Sequence, residues 1–327
     1  MYKDLNPPSN RVVIIGCGSA GLKVVQLIHE VHTPSIITIG IDTDFNLSNY
    51  LKTDHYFPVS KSVVRGLLDR NEGDCTGISR VFRNLHMYQM QPDDLVILTA
   101  GLGKFTGTSL MIALTRIIKE ITYHPVIGIV TVPYPHNKEL ILCAKKGMNH
   151  LVPALDSLIV LEMEQLKNLF QNPGTGTLYD KCSRFIAAEI EFLTTSFDNL
   201  TGKDFFSVMG MKGVGVLFYG QSAGPDRAER LAQACLRTPL CEIDYRAAPG
   251  CLVLIEGGPG LTRDDARNVV RDLTFELPGH THIAWGYRIM KNLNENIHAQ
   301  AIMTGIKPGW FRGSPNCIAS VKNLQTG

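Results

Sequence analysis

The sequence predicts an α/β protein with room for two domains. Three observations predict it. The stretch Leu95–Ile118 reads as a buried strand, a turn of small residues and an apolar helix. The same order stands earlier, where Arg11–Ile15 runs into Gly16-Cys17-Gly18-Ser19-Ala20-Gly21 and then a helical pattern over Leu22–Val31. The chain of 327 residues is long enough to bury two proper cores.

A strand, a glycine turn and a helix in that order gather free backbone N–H groups and a positive helix end at one point, which suits a phosphate. Around Leu95–Ile118 the strand is expected at Leu95–Leu98, the turn over 99–109 and the helix from about Leu110. Glycines let the chain come close and adopt positive φ. Thr106, Thr108 and Ser109 add hydroxyl donors. The spacing is not that of a Walker A loop. The earlier G-x-G-x-x-G, taken alone, equally suits a dinucleotide fold, and the acid pair Asp42 and Asp44 after strand Ile36–Ile41 stands near a ribose-binding position. A second phosphate-type turn is what argues against that reading.

The segment 60–86 is basic, with Arg65, Arg70, Arg80 and Arg83, and reads as a solvated helix pair whose guanidinium groups also suit phosphate oxygens. Further elements follow in turn: strand Pro125–Val132, helix Lys138–His150, strand Asp156–Leu161, a glycine-rich loop over 172–177, and a long helix over Leu178–Ser196 with apolar residues at helical spacing. Beyond it the pattern alternates again, with strands at Cys251–Gly257, His282–Arg288 and His298–Ile306 and an amphipathic helix at Thr262–Phe275. His280 and His282 are spaced to share a metal, though they read more simply as a solvated strand-edge pair.

Composition narrows the classes. A formal charge of +2 predicts neither nucleic-acid binding nor membrane-surface attraction. The eight cysteines, at 17, 75, 143, 182, 235, 241, 251 and 317, form no C-x-x-C pair and read as reduced thiols. The polar N-terminus and the absence of an apolar run of about 20 residues predict a cytoplasmic chain without membrane insertion.

Three landmarks in order resemble the tubulin/FtsZ superfamily: Gly16–Val25, then Asp42-Thr43-Asp44, then the signature-type loop Gly103–Ser109, preceded by Thr99-Ala100-Gly101. Lys104 and Phe105 stand where that loop carries glycines. A longer match spans Gly213–Ile243, with Gly220, Gly224, Asp226-Arg227-Ala228 and Pro239-Leu240, and the last strand ends in Thr304-Gly305-Ile306. The resemblance implies a Rossmann-like GTPase domain over 1–177, a central helix over 178–197, a smaller C-terminal α/β domain over 198–307 and a short tail over 308–327.

It also implies a guanine-nucleotide site. Gly18, Ser19, Ala20, Gly21, Asp44, Ala100, Gly101, Gly103, Lys104, Phe105, Thr106, Gly107 and Thr108 would hold GTP or GDP with Mg2+. Asp180 would meet the guanine edge. Asn199 and Asp204 match a loop that completes the site of the next subunit, with Asp204 orienting the attacking water. A cap on the helix that follows is the structural alternative for Asp204.

The implied partners are copies of the chain itself, stacked head to tail, and an FtsZ paralogue. The implied activity is slow GTP hydrolysis, because Phe105 fills space that a glycine leaves open. Glu162 and Met163 replace a Pro-Asn pair whose Asn meets guanine in the family, and Thr201 replaces the first acid of the loop at 199–204. Those losses leave a second reading open, a degenerate scaffold or co-assembly subunit that does not hydrolyse GTP. A third, a nicotinamide-dependent oxidoreductase built on Gly16–Gly21, requires 101–109 to be a plain connector.

Overall fold

The computed structural model describes residues 11–31, 33–49, 51–68, 94–121, 126–170, 177–224 and 226–307. Among them lie ten strands in a single sheet. Strands β1 (Val12–Cys17), β2 (Ile36–Asp42), β3 (His55–Pro58), β4 (Leu95–Gly101), β5 (Val126–Val132) and β6 (Ser157–Glu162) form its N-terminal part. Strands β7 (Val214–Ala223), β8 (Gly250–Gly257), β9 (His282–Ile289) and β10 (Asn296–Ile306) continue it. The order is β3-β2-β1-β4-β5-β6-β7-β10-β8-β9. Only β10 runs against its neighbours; the two halves join where Leu158–Val160 pair in parallel with Val214–Val216.

Helices cover both faces, which is why these strands read as continuous apolar runs rather than alternating ones. On one face Val13, Ile15 and Cys17 pack with α2 (Lys61–Leu68), α3 (Phe105–Ile121) and α4 (Lys138–Ala154), and the same layer continues through α8 (Arg227–Leu236) and α9 (Arg263–Thr274). On the other, Val12 and Ile14 pack with α1 (Gly18–Val31), α5 (Met163–Leu169), α6 (Leu178–Thr194) and α7 (Gly202–Met209). The α/β class expected from the sequence is present, as a large and mainly parallel sheet between helices. No described helix is long and apolar enough to cross a membrane.

Several boundaries depart from expectation, among them the start of α1 at Gly18 rather than Leu22. The helix expected from about Leu110 begins at Phe105, and the strand before it runs on to Gly101. Thr108 N–H donates to the Lys104 carbonyl at 3.3 Å, and Phe105 packs against the core, so small residues that read as a turn form the first helical turn. The strand at Ile36 likewise extends to Asp42. Arg70, Arg80, Arg83 and most of the loop at 172–177 lie outside the described residues.

Helix α6 fixes the distance between the two ends of the molecule. Its N-cap Thr177 and Asp180 form a capping box. Its first turn lies near Tyr134, just past the carboxyl end of β5, and its last residues line a cleft with Thr33, Ser35 and Ile36, at the amino end of β2. Seventeen residues at about 1.5 Å each separate those ends by roughly 25 Å.

Candidate functional site

The site lies at the carboxyl ends of β1, β2 and β4. Strands β1 and β4 are parallel neighbours with Cys17 opposite Ala100. Each passes almost at once into a helix, α1 at Gly18 and α3 at Phe105. Two helix amino termini, with their unsatisfied first-turn N–H groups, therefore sit side by side.

Glycines make that approach possible. A Cβ on Gly18, which has φ +70°, would stand 2.9 Å from both Cα and N of Gly107. A Cβ on Gly107 would meet the Gly101 carbonyl oxygen at 2.7 Å, and one on Gly21 the Thr99 carbonyl oxygen at 2.3 Å. The two turns expected to grip phosphate are thus in backbone contact. Ser19, Ala20 and Lys104 are exposed on the rim, while Ala100 is buried in the floor. Gly101 lies half-buried beside Ala20.

The β2 end closes the third side. Thr43 Oγ1 lies 3.4 Å from Thr106 Oγ1. Asp42 is buried, and its Oδ1 accepts from the N–H groups of Thr43 at 2.5 Å and Asp44 at 3.2 Å, which shapes the turn. Asp44 is exposed at the rim and accepts from Asn46 N–H at 2.9 Å. Of the two acids, Asp42 serves the backbone and Asp44 faces outward. Thr43 is the site residue that sequence reasoning passed over; its position between two acids was the available signal.

Other expected residues have local duties. Thr108 is buried, and its Oγ1 accepts from Gly103 N–H at 3.0 Å, so it ties the turn from inside. Gly103 has φ +107°, and a Cβ there would press on Pro133 at 2.6 Å. Phe105 lies half-buried against the core with the Arg65 guanidinium 5.7 Å over its ring, so the aromatic replacing a glycine is drawn toward α2. Asp180 accepts from the Thr177 hydroxyl at 2.7 Å, and bonds from Thr177 hold its carboxyl below the usual range. Lys23 of α1 and Arg184 contribute in the same direction. Glu162 accepts from Cys241 Sγ and from Glu242 N–H, and burial pushes its carboxyl up.

The loop at 199–204 is built at the opposite end. Asn199, in the left-handed region at φ +65°, donates to the Trp285 carbonyl at 3.4 Å and accepts from Arg263 Nη2 at 2.7 Å. No spacing in the sequence linked Asn199 to Arg263. Asp204 Oδ2 accepts from the hydroxyl of the N-cap Thr201 at 2.6 Å. Ser207 Oγ lies 2.8 Å from His282 Nε2. Among the described residues no group of three or more His, Cys, Asp and Glu side chains is placed to hold a metal.

The geometry is that of a three-layer α/β protein with a backbone cradle at its strand ends and an acid-bearing loop beyond the far end of the connecting helix, which is roughly 25 Å long. Comparison with known proteins sharpens the class. A family model described as FtsZ family, C-terminal domain, matches residues 213–307. Cell division protein FtsZ 2 of Halobacterium salinarum is 29% identical over 309 residues, covering 93% of this chain and 78% of that protein. An empty FtsZ dimer of M. jannaschii shares the fold with a TM-score of 0.79 at 24% identity, over 92% of this chain and 89% of that one. CetZ2 of Haloferax volcanii, solved as a GTPγS-bound protofilament, does so with a TM-score of 0.74 at 15% identity, over 96% and 98%. The chain is FtsZ-like: residues 213–307 match the FtsZ C-terminal domain model, and nearly the whole chain is similar to FtsZ proteins in sequence and fold.

Proposed function

We propose that the chain binds a guanine nucleotide in the cradle of Gly18–Gly21 and Phe105–Gly107 and assembles head to tail, with Asp204 of one subunit completing the site of the next. One observation carries this reading: the cradle and Asp204 lie at opposite ends of a chain in which α6 alone spans about 25 Å. A carboxylate so far from its own cradle can act on a phosphate only in a neighbouring copy. Such a contact is heterologous and does not close, so it builds filaments. Exposed apolar side chains at both ends support it, with Phe45 and Tyr179 beside the cradle and Ile283 beside His282.

The chemistry follows from the residues present. First-turn N–H groups of α1 and α3 would donate to phosphate oxygens, and exposed Lys104 adds charge at the rim. Thr43 and Thr106 hydroxyls offer the hard oxygen donors that Mg2+ prefers, with phosphate and water completing its shell. Asp204 would align water for in-line attack. Hydrolysis is expected to be slow, because Phe105 stiffens the turn where a glycine would let it close on the γ-phosphate. FtsZ 2 of Halobacterium salinarum is a cell division protein by name, and the CetZ2 neighbour is a nucleotide-bound protofilament; both support this reading, with an FtsZ paralogue as a co-assembly partner.

The engagement of Asp204 and Asp180 with their own capping threonines favours a second reading, a scaffold that does not hydrolyse GTP. Mixing separates them. A cradle variant, Gly107→Ala, and an acid variant, Asp204→Ala, should each release little phosphate alone, while a mixture recovers activity at junctions pairing an intact cradle with an intact acid. No release from the wild type, or no recovery on mixing, overturns the proposal.

A further inference from the structure

Between α6 and the C-terminal strands, away from the cradle, lies a cleft of about 580 Å³ lined by Glu189, Glu191, Tyr219, Glu256, Arg288 and His298 among others. Glu189 stands out there. It is 7% exposed. Its Oε2 accepts from Gln300 Nε2 at 2.8 Å, and its main-chain oxygen from the same nitrogen at 3.1 Å. Gln300 is 1% exposed, and its Oε1 has no hydrogen-bond partner among the described residues. One amide nitrogen thus ties the middle of α6 to β10.

The cations nearby are already committed. Arg288 donates to Glu256 at 2.6 Å and 2.9 Å, and its guanidinium lies over the rings of Phe192 and Phe197. His298 Nδ1 lies 3.1 Å from the other oxygen of Glu256. The remaining titratable groups around Glu189 are Tyr219 on β7, Glu256 on β8, Cys235 on α8 and Glu191 on α6 itself, none of which supplies a positive charge. A hydrogen bond from a neutral amide returns only part of what a carboxylate loses when it is withdrawn from water. Desolvation wins, and Glu189 keeps its proton at neutral pH.

We propose that Glu189 and Gln300 form a proton-controlled latch that holds α6 against the C-terminal sheet and releases when Glu189 ionises into the adjoining cleft. The charged side chain has water within reach, because the cleft opens beside it. Its departure removes the shorter of the two bonds and leaves Gln300 Nε2 only the Glu189 main-chain oxygen at 3.1 Å. Helix α6 connects the cradle to the loop bearing Asn199 and Asp204, so release loosens the alignment of the two ends. That last consequence rests on the filament reading above; the latch itself does not.

Burial first, and then the charge of Glu256, push the Glu189 carboxyl from about 4.5 to about 8. Between pH 7 and pH 9 its ionised fraction then climbs from about 10% to about 90%. Two measurements test the proposal. Infrared difference spectra of the wild type should show a protonated carboxyl band that titrates near pH 8 and is missing in Glu189→Gln. Hydrogen exchange, corrected for its intrinsic pH dependence, should show protection across 187–193 and 298–302 falling at least tenfold from pH 7 to pH 9 in the wild type and staying flat in Glu189→Gln, whose neutral side chain preserves the tie. Titration near 4.5, or unchanged protection in the wild type, overturns the latch. A light-scattering arm with GTP should show assembly weakening at pH 9 only in the wild type. Absence of assembly at every pH instead refutes the filament reading, while the spectroscopic result still decides the latch.

Discussion

Replacing Gly18 by alanine tests the contact on which the cradle depends. At φ +70° an L side chain costs roughly 1–2 kcal/mol. The new Cβ would lie 2.9 Å from Cα and N of Gly107, where carbon atoms prefer about 3.5–4.0 Å. The obstacle is backbone, which cannot rotate aside, so one turn must move by about 0.5–1 Å. Overpacking of that kind costs about 1–3 kcal/mol. The total, about 2–5 kcal/mol, spread over an unfolding entropy of about 2.1 cal/mol/K per residue for 327 residues, lowers the melting temperature by roughly 3–7 °C. The same displacement spoils the shared donor geometry, so affinity for a guanine triphosphate, read by titration with a fluorescent analogue, should fall at least tenfold, about 1.4 kcal/mol. Ser19→Ala, exposed in the same turn, is the control and should leave the melting point unmoved. Gly107 is itself pinned against the Gly101 carbonyl, so combining Gly18→Ala with Gly107→Ala should be non-additive by about 0.5–3 kcal/mol. A Gly18→Ala protein with unchanged melting temperature and nucleotide affinity would refute the close packing of the two turns.

Two further outcomes follow from buried groups. Burial pushes the thiols of Cys17, Cys235 and Cys251 up, so mass spectrometry after brief treatment of the native protein with a thiol reagent at pH 8 should find these three unmodified and find them labelled in denaturant; rapid native labelling would show that the core opens. Burial alone would raise the Asp54 carboxyl, but bonds from Thr38 N–H and Oγ, both 2.8 Å, and the neighbouring His29 and His55 together hold it below its ordinary 3.8. A depressed carboxylate stabilises the fold above its unfolded value, and the benefit fades as pH falls through the folded one. Asp54→Asn should therefore destabilise at pH 7 by no more than about 1 kcal/mol, given its partial exposure, with the difference from wild type shrinking below pH 4 in urea titrations.

Legibility in the sequence followed the range of the interactions. The strands were readable because burial on both faces leaves long apolar runs, and the cradle was readable because glycine is required where Gly18 meets Gly107. The start of α3 was misread because Thr106, Gly107 and Thr108 favour turns locally, while the anchoring of Phe105 by the core and Arg65 is a tertiary effect. The Asn199–Arg263 bond and the Glu189–Gln300 tie join residues 64 and 111 positions apart, so no local pattern announces them.

The acids show a subtler overlap. A threonine followed three residues later by an aspartate opens α6, α7 and α9, at Thr177 and Asp180, Thr201 and Asp204, and Thr262 and Asp265, and in each case the threonine hydroxyl accepts from the aspartate N–H. The spacing alone therefore says cap, and Asp265 shows that it needs no further role. Capping and catalysis are nevertheless compatible at Asp204. Its bond to Thr201 engages Oδ2, and an ionised carboxylate offers about four acceptor positions. A cap that fixes the rotamer of the acid also removes the entropy of orienting it, which is what a group aligning water for a neighbouring subunit requires. The local reading and the functional reading thus describe one geometry: the bond that starts α7 also sets the direction in which Asp204 presents its carboxylate.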